Sequence, residues 1–96
     1  MIKVVAKNYV KEEKIEEFLK LAEELIEITR KNDEGCISYE LYQDLQNKGI
    51  LTMLETWENG EALKKHSQSE HFTRIVPMLS QFSEKPGETN MYNKVK

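Results

Sequence analysis

The stretch "CISYELYQDLQNKGILTMLETWE", Cys36 to Glu58, decides the architecture. Cys36 to Leu45 alternates, with aromatics at Tyr39 and Tyr42, and Ile50 to Glu58 is a second β-rich run. "QNKG" between them has the composition of a turn, so the two runs read as the antiparallel strands of one hairpin. Within the second run, Leu51, Met53, Glu55 and Trp57 share one parity, while Ile50 and Leu54 share the other. Successive strand side chains point to opposite faces, so both faces of this strand carry apolar groups.

Upstream, "IKVVAKNYV" (Ile2 to Val10) is a nearly alternating strand, with Ile2, Val4, Ala6, Asn8 and Val10 on one face. "KEEKIEEFLKLAEELIEITRKN" (Lys11 to Asn32) places Ile15, Phe18, Leu19, Ala22, Leu25, Ile26 and Thr29 at three- and four-residue steps, one stripe of an amphipathic helix. Glu12 and Glu13 suit the positive end of its dipole, Arg30 and Lys31 the negative end, and Gly35 is a stop signal. Downstream, Glu61 to His66 reads as a short helix. Ser69 is placed to cap another that runs to about Phe82, with Pro77 expected to kink or divide it. "EKPG" reads as a loop and Glu88 to Val95 as the last strand. The order β-α-β-β-α-β predicts one domain over residues 1–96 of the α+β, ferredoxin-like class, with helices on one face of an antiparallel sheet. Apolar residues on the other face predict a second layer, most simply another copy of the chain packed sheet to sheet.

Composition narrows the function classes. The chain has 96 residues, is 39% hydrophobic and 32% charged, and carries a formal net charge of −3. Its Lys and Arg residues are interspersed with Glu rather than clustered, which argues against nucleic-acid binding. One cysteine, Cys36, permits no internal disulfide and suits a cytoplasmic location. The N-terminus lacks a signal-peptide pattern, and no apolar run approaches the roughly 20 residues of a membrane span, so no membrane partner is expected.

The residues able to carry chemistry gather in a few places. Asn8 interrupts an apolar strand face, and a buried amide costs about 1–3 kcal/mol unless it is bonded to backbone, water or ligand. Trp57 offers a flat apolar wall and one N–H donor. Glu55 shares its parity, and an acid on a buried face needs a donor partner. His66 falls near the C-terminal end of the short helix, where the dipole favours the cation. His71 lies in the first turn after Ser69, where neutral imidazole is favoured, making it the better proton acceptor if it faces a cavity. A metal site is a poor fit. The five-residue gap between the histidines crosses a helix break, and Cys36 lies on another strand. Gly-rich phosphate loops and nucleophile elbows are missing, so neither flavin nor nicotinamide is expected and no cofactor is assigned.

The frame "GCISYEL…LETWENGEALKKHSQSEHF", together with "VVAKNYVKEEKIEEFLKL" at the start, resembles the antibiotic biosynthesis monooxygenase domain family over nearly the whole chain. Its sharpest part is Glu-x-Trp, a helix turn, then His-x-x-x-x-His-Phe. The resemblance implies a dimeric α+β barrel and cofactor-independent oxygenation of small phenols or quinols, with dioxygen as co-substrate. It also leaves relatives of other kinds open: haem-degrading proteins, to whose first-strand Asn and third-strand Trp Asn8 and Trp57 correspond in kind; a sugar-phosphate isomerase; or a non-catalytic dimer that binds an aromatic ligand. On this reading Asn8, Trp57, His66 and His71 are the catalytic candidates, while Tyr39, Met53, Glu55 and Phe72 line the substrate site.

Overall fold

A computed structural model describes residues 1–96. The chain runs β1 (Ile2–Val10), a single 3₁₀ turn (Glu12–Lys14), α1 (Ile15–Asn32), β2 (Cys36–Gln43), β3 (Ile50–Trp57), α2 (Gly60–Ser67), α3 (Glu70–Ser80) and β4 (Ser83–Asn93). The strands form one four-stranded antiparallel sheet in the order β2-β3-β1-β4, the ferredoxin-like arrangement that the element order predicts. No helix is long and apolar enough to cross a membrane.

The predicted parities hold. Val4, Leu51, Met53 and Trp57 are buried on the helix side, as are Phe18, Ala22 and Leu25 from the α1 stripe. The opposite face leaves Leu54, Tyr42 and Tyr92 exposed. Ser69 caps α3 by accepting a bond from the Phe72 N–H at 3.2 Å, and Asn59 caps α2 through the Ala62 N–H at 2.9 Å.

Several boundaries differ from the expectation, each for a local reason. The first turn after β1 is 3₁₀, so α1 begins at Ile15 rather than Lys11. β2 ends at Gln43 because the Asp44 carboxylate accepts from the Gln46 and Asn47 N–H groups, both at 2.9 Å, and bends the chain into the turn. The expected "EKPG" loop belongs to β4. Ser83 pairs with Val10 and Lys85 with Tyr9, and pairing resumes at Glu88 after an irregularity. Proline is tolerated there because β4 is an edge strand and the ladder is already broken at the bulge. The expected break at Pro77 does not divide α3, which continues to Ser80. Helix ends near that point anyway, so the missing N–H removes a rung where little helix remains.

One turn fixes how the two ends of the core meet. Gly35 takes φ of +84°, and its carbonyl accepts from the Glu58 N–H at 2.8 Å, tying the α1–β2 turn to the end of β3. A Cβ here would stand 2.5 Å from Ala62 Cβ on α2. Gly35→Ala should therefore destabilise the protein by roughly 2–4 kcal/mol, from left-handed backbone strain and overpacking together. In an Ala62→Gly background the penalty of the same change should fall to the backbone part, about 1–2 kcal/mol. Urea midpoints of the four proteins test this.

Candidate active site

Between the sheet and the helices lies a cavity of about 490 Å³. Its walls are mainly apolar, with Val4, Leu25, Met53, Leu63, Phe72 and Val76 among them. Polar side chains interrupt that lining, among them Asn8 from β1, Tyr39 from β2, Glu55 from β3, and Lys64 and His66 from α2. β1 pairs with β3 and β3 with β2, so their helix-facing residues are brought side by side; Tyr39 stands opposite Glu55, and Asn8 opposite Leu51.

Glu55 is buried, and burial pushes its carboxyl up to about 7 from 4.5, against the opposing effect of the Trp57 indole N–H, which donates to Glu55 Oε1 at 2.9 Å. Trp57 is fully buried and stands behind the wall rather than in it. Its ring supports the His66 imidazole at 4.6 Å between centroids. Phe72 and Tyr39 close the other sides edge-on, at 5.0 and 5.2 Å. Burial also raises the Tyr39 hydroxyl, which stays a neutral donor.

His66 has only 1% of its side chain exposed. Burial lowers its pKa, opposed in part by a hydrogen bond to Asp33. Its Nδ1 stands 2.5 Å from Asp33 Oδ2, whereas its Nε2 is buried with no hydrogen-bond partner. Asn8 is partly satisfied by the protein: its amide nitrogen donates to the carbonyls of Leu51 at 3.1 Å and Ala6 at 3.3 Å. Asn8 Oδ1 is the group left to address a ligand.

Of the eight candidate residues, six line the cavity: Asn8, Tyr39, Met53, Glu55, His66 and Phe72. Trp57 and His71 do not. Trp57 contacts Glu55 and His66, and His71 turns to Asp33, with Nε2 at 2.9 Å from Oδ1. Of the two histidines, then, it is His66 that reaches the cavity. The dipole at the end of a short helix is outweighed by burial among three rings. Asp33 was not among the candidates. A signal existed: pairing Cys36 with Trp57 brings the α1–β2 turn beside the β3–α2 connection, and Asp33 is an acid in that turn. Asp33, His66 and His71 also have the residue types of a metal set, with donor atoms within 4.8 Å of one another. Their contacts, 2.5 to 3.0 Å, are those of histidine–carboxylate hydrogen bonds.

The model of the family described as antibiotic biosynthesis monooxygenase matches residues 1–78. An uncharacterized protein of Synechocystis, sll1783, is 38% identical over 90 residues, covering 93% of this chain and 60% of its own length. The chain thus spans less than two thirds of that relative. The crystal structure of a conserved protein from Methanosarcina mazei Go1 superposes with a TM-score of 0.93 at 50% identity, over 97% of this chain and 91% of that one. A crystal structure of an antibiotic biosynthesis monooxygenase superposes with a TM-score of 0.94 at 34% identity, over 100% of both chains.

The Glu55 environment has a measurable consequence for stability. Its pKa is higher folded than unfolded, so its contribution is fully present below about 4.5 and is lost as pH rises through about 7. The lowered His66 works in the opposite sense, adding stability above its ordinary 6.5 and losing it as pH falls through the folded value. Subtracting the Glu55→Gln curve from the wild-type curve isolates the carboxyl. The wild type should lose ground to the variant between pH 4.5 and 7, measured by urea unfolding, and a flat difference would contradict the buried acid.

Proposed function

Because this chain belongs to the antibiotic biosynthesis monooxygenase family, we propose that it is a cofactor-independent monooxygenase acting on a small, flat phenol or quinol. The observation that carries this reading is an apolar cavity lined by two groups suited to proton transfer: the raised Glu55 carboxyl and the His66 imidazole, whose Nε2 has no hydrogen-bond partner. Dioxygen is a triplet and reacts slowly with closed-shell molecules. A phenolate is electron-rich enough to pass it one electron, so removing the phenol proton is the step a protein can control.

On this reading His66 Nε2 takes the hydroxyl proton while Asn8 Oδ1 and the aromatic wall orient the ring. The phenolate reduces dioxygen to superoxide, and the two radicals join at a ring carbon to give a peroxide, protonated to the hydroperoxide. His66 Nε2, freed when its proton goes to the peroxide, takes the hydrogen on that carbon as a proton while hydroxide departs, which yields the quinone. Neutral Glu55 supplies the proton that turns the leaving hydroxide into water, and the proton then held by His66 restores the Glu55 carboxyl. One oxygen atom enters the product, the other leaves as water, and the ring supplies both electron pairs. The same reading includes a homodimer, supported by Leu54, Tyr42 and Tyr92 standing exposed on the open sheet face.

Oxygen uptake on naphthohydroquinone, corrected for its spontaneous oxidation, should fall by roughly 10²–10⁴-fold in His66→Ala. Asn8→Ala and Trp57→Phe should each lower it as well, and unchanged rates in both would end the proposal. A Soret shift on haem titration that His66→Ala abolishes would favour haem chemistry instead. In sedimentation equilibrium the wild type should run as a dimer and Leu54→Lys as a monomer; a monomeric wild type would remove the second copy from the reading.

A further inference from the structure

A single carboxylate faces both histidines. Asp33 Oδ2 is 2.5 Å from His66 Nδ1 and 3.0 Å from His71 Nε2, and Oδ1 is 2.9 Å from that same His71 nitrogen. The three side chains come from different elements: the turn after α1, the last turn of α2 and the first turn of α3. All three are nearly closed to water, with 10%, 1% and 11% of their side chains exposed. Backbone contacts hold the group in place. The Asp33 N–H donates to the Thr29 carbonyl at 2.9 Å, and Ser69 Oγ donates to the His66 carbonyl at 2.6 Å where α2 passes into α3.

A carboxylate accepts hydrogen bonds and donates none, so each ring nitrogen turned toward it must carry a proton. The two rings turn different nitrogens. His66 presents Nδ1, and His71 presents Nε2. We propose that Asp33 is a positioning residue that fixes the two histidines in opposite tautomers, His66 as Nδ1–H and His71 as Nε2–H, so that the buried, unpartnered Nε2 of His66, a cavity-lining ring, is left as a bare lone pair. This deepens the oxygenase reading, since it explains why the unpartnered His66 nitrogen is an acceptor rather than a donor. A neutral ring with the other tautomer would carry its N–H at Nε2 and could take no proton from a substrate there. Sharing the carboxylate also makes the arrangement hard to imitate. An asparagine offers one oxygen and one NH₂, and its NH₂ must face one of the two rings, which then has to give up its proton on that side. Removing the negative charge also makes the imidazolium form of His66 less favourable when it takes a proton.

The test is a long-range ¹H–¹⁵N spectrum of the resting wild-type protein at a pH where both rings are neutral, with each ring assigned from the backbone. Opposite tautomers, Nδ1–H at His66 and Nε2–H at His71, are expected. A proton on His66 Nε2, or the same tautomer in both rings, would overturn the proposal. In Asp33→Asn the opposite pattern should break, with at least one ring moving its proton. The kcat for naphthohydroquinone should drop by about tenfold or more while KM stays within about twofold. An Asp33→Asn protein that keeps both tautomers and the wild-type kcat would overturn it equally. If the wild type shows the expected tautomers and no turnover, the role of Asp33 stands and the oxygenase reading is what fails.

Discussion

A carboxyl group held out of water in the middle of a sheet is the constraint around which this molecule is arranged. Glu55 sits on the helix-facing side of β3, between Met53 and Trp57. Its neighbours there are apolar, so its charged form is disfavoured, and the only side-chain donor it receives is the indole of Trp57. That bond fixes the indole, the indole supports the imidazole of His66, and His66 in turn engages Asp33. Sheet and helical layer are thereby joined by a continuous polar and aromatic chain. The cavity lies in front of it, where the sheet side chains are small (Ala6) or polar (Asn8) and do not fill the space.

Much of this architecture is written in alternation and spacing. The parity of Leu51, Met53, Glu55 and Trp57 places the acid and the indole on one face without any knowledge of the rest. The 3.6-residue stripe of α1 shows which face it buries. Period-based reasoning works for these because each signal is local and repeated. It fails where one contact between distant residues decides. Asp33 looks like any acid in a turn until the Cys36–Trp57 pairing puts it beside α2. The choice between His66 and His71 depends on which ring three aromatic side chains enclose, and helix dipoles carry no information about that. Pro86 marks a loop by composition and yet lies in β4, because an edge strand with a bulge needs no donor from it.

The sheet separates two kinds of apolar surface. On the helix side, Val4, Leu51 and Met53 are buried within the chain itself. On the other side, Leu54, Tyr42 and Tyr92 remain exposed although they lie on the same four strands. β4 is exposed along almost its whole length, and only Ser83 at its start is partly covered. A 96-residue chain has one modest core, so apolar area on both faces of its sheet is more than its three helices can cover.

On the oxygenase reading, the charge state of the cavity explains why it combines a neutral acid with a neutral base. With Glu55 protonated and His66 uncharged, neither of the two groups that exchange protons carries a formal charge when a flat phenol enters. They become charged only when the proton moves. The phenolate and the His66 imidazolium then form an ion pair inside a low-dielectric space, where their attraction is far stronger than in water. Asp33, on the far side of the imidazolium, stabilises that cation without entering the cavity. When the electron passes to dioxygen, the superoxide takes over the negative charge beside the same imidazolium, so the product of the slow step is held by the group that made it possible.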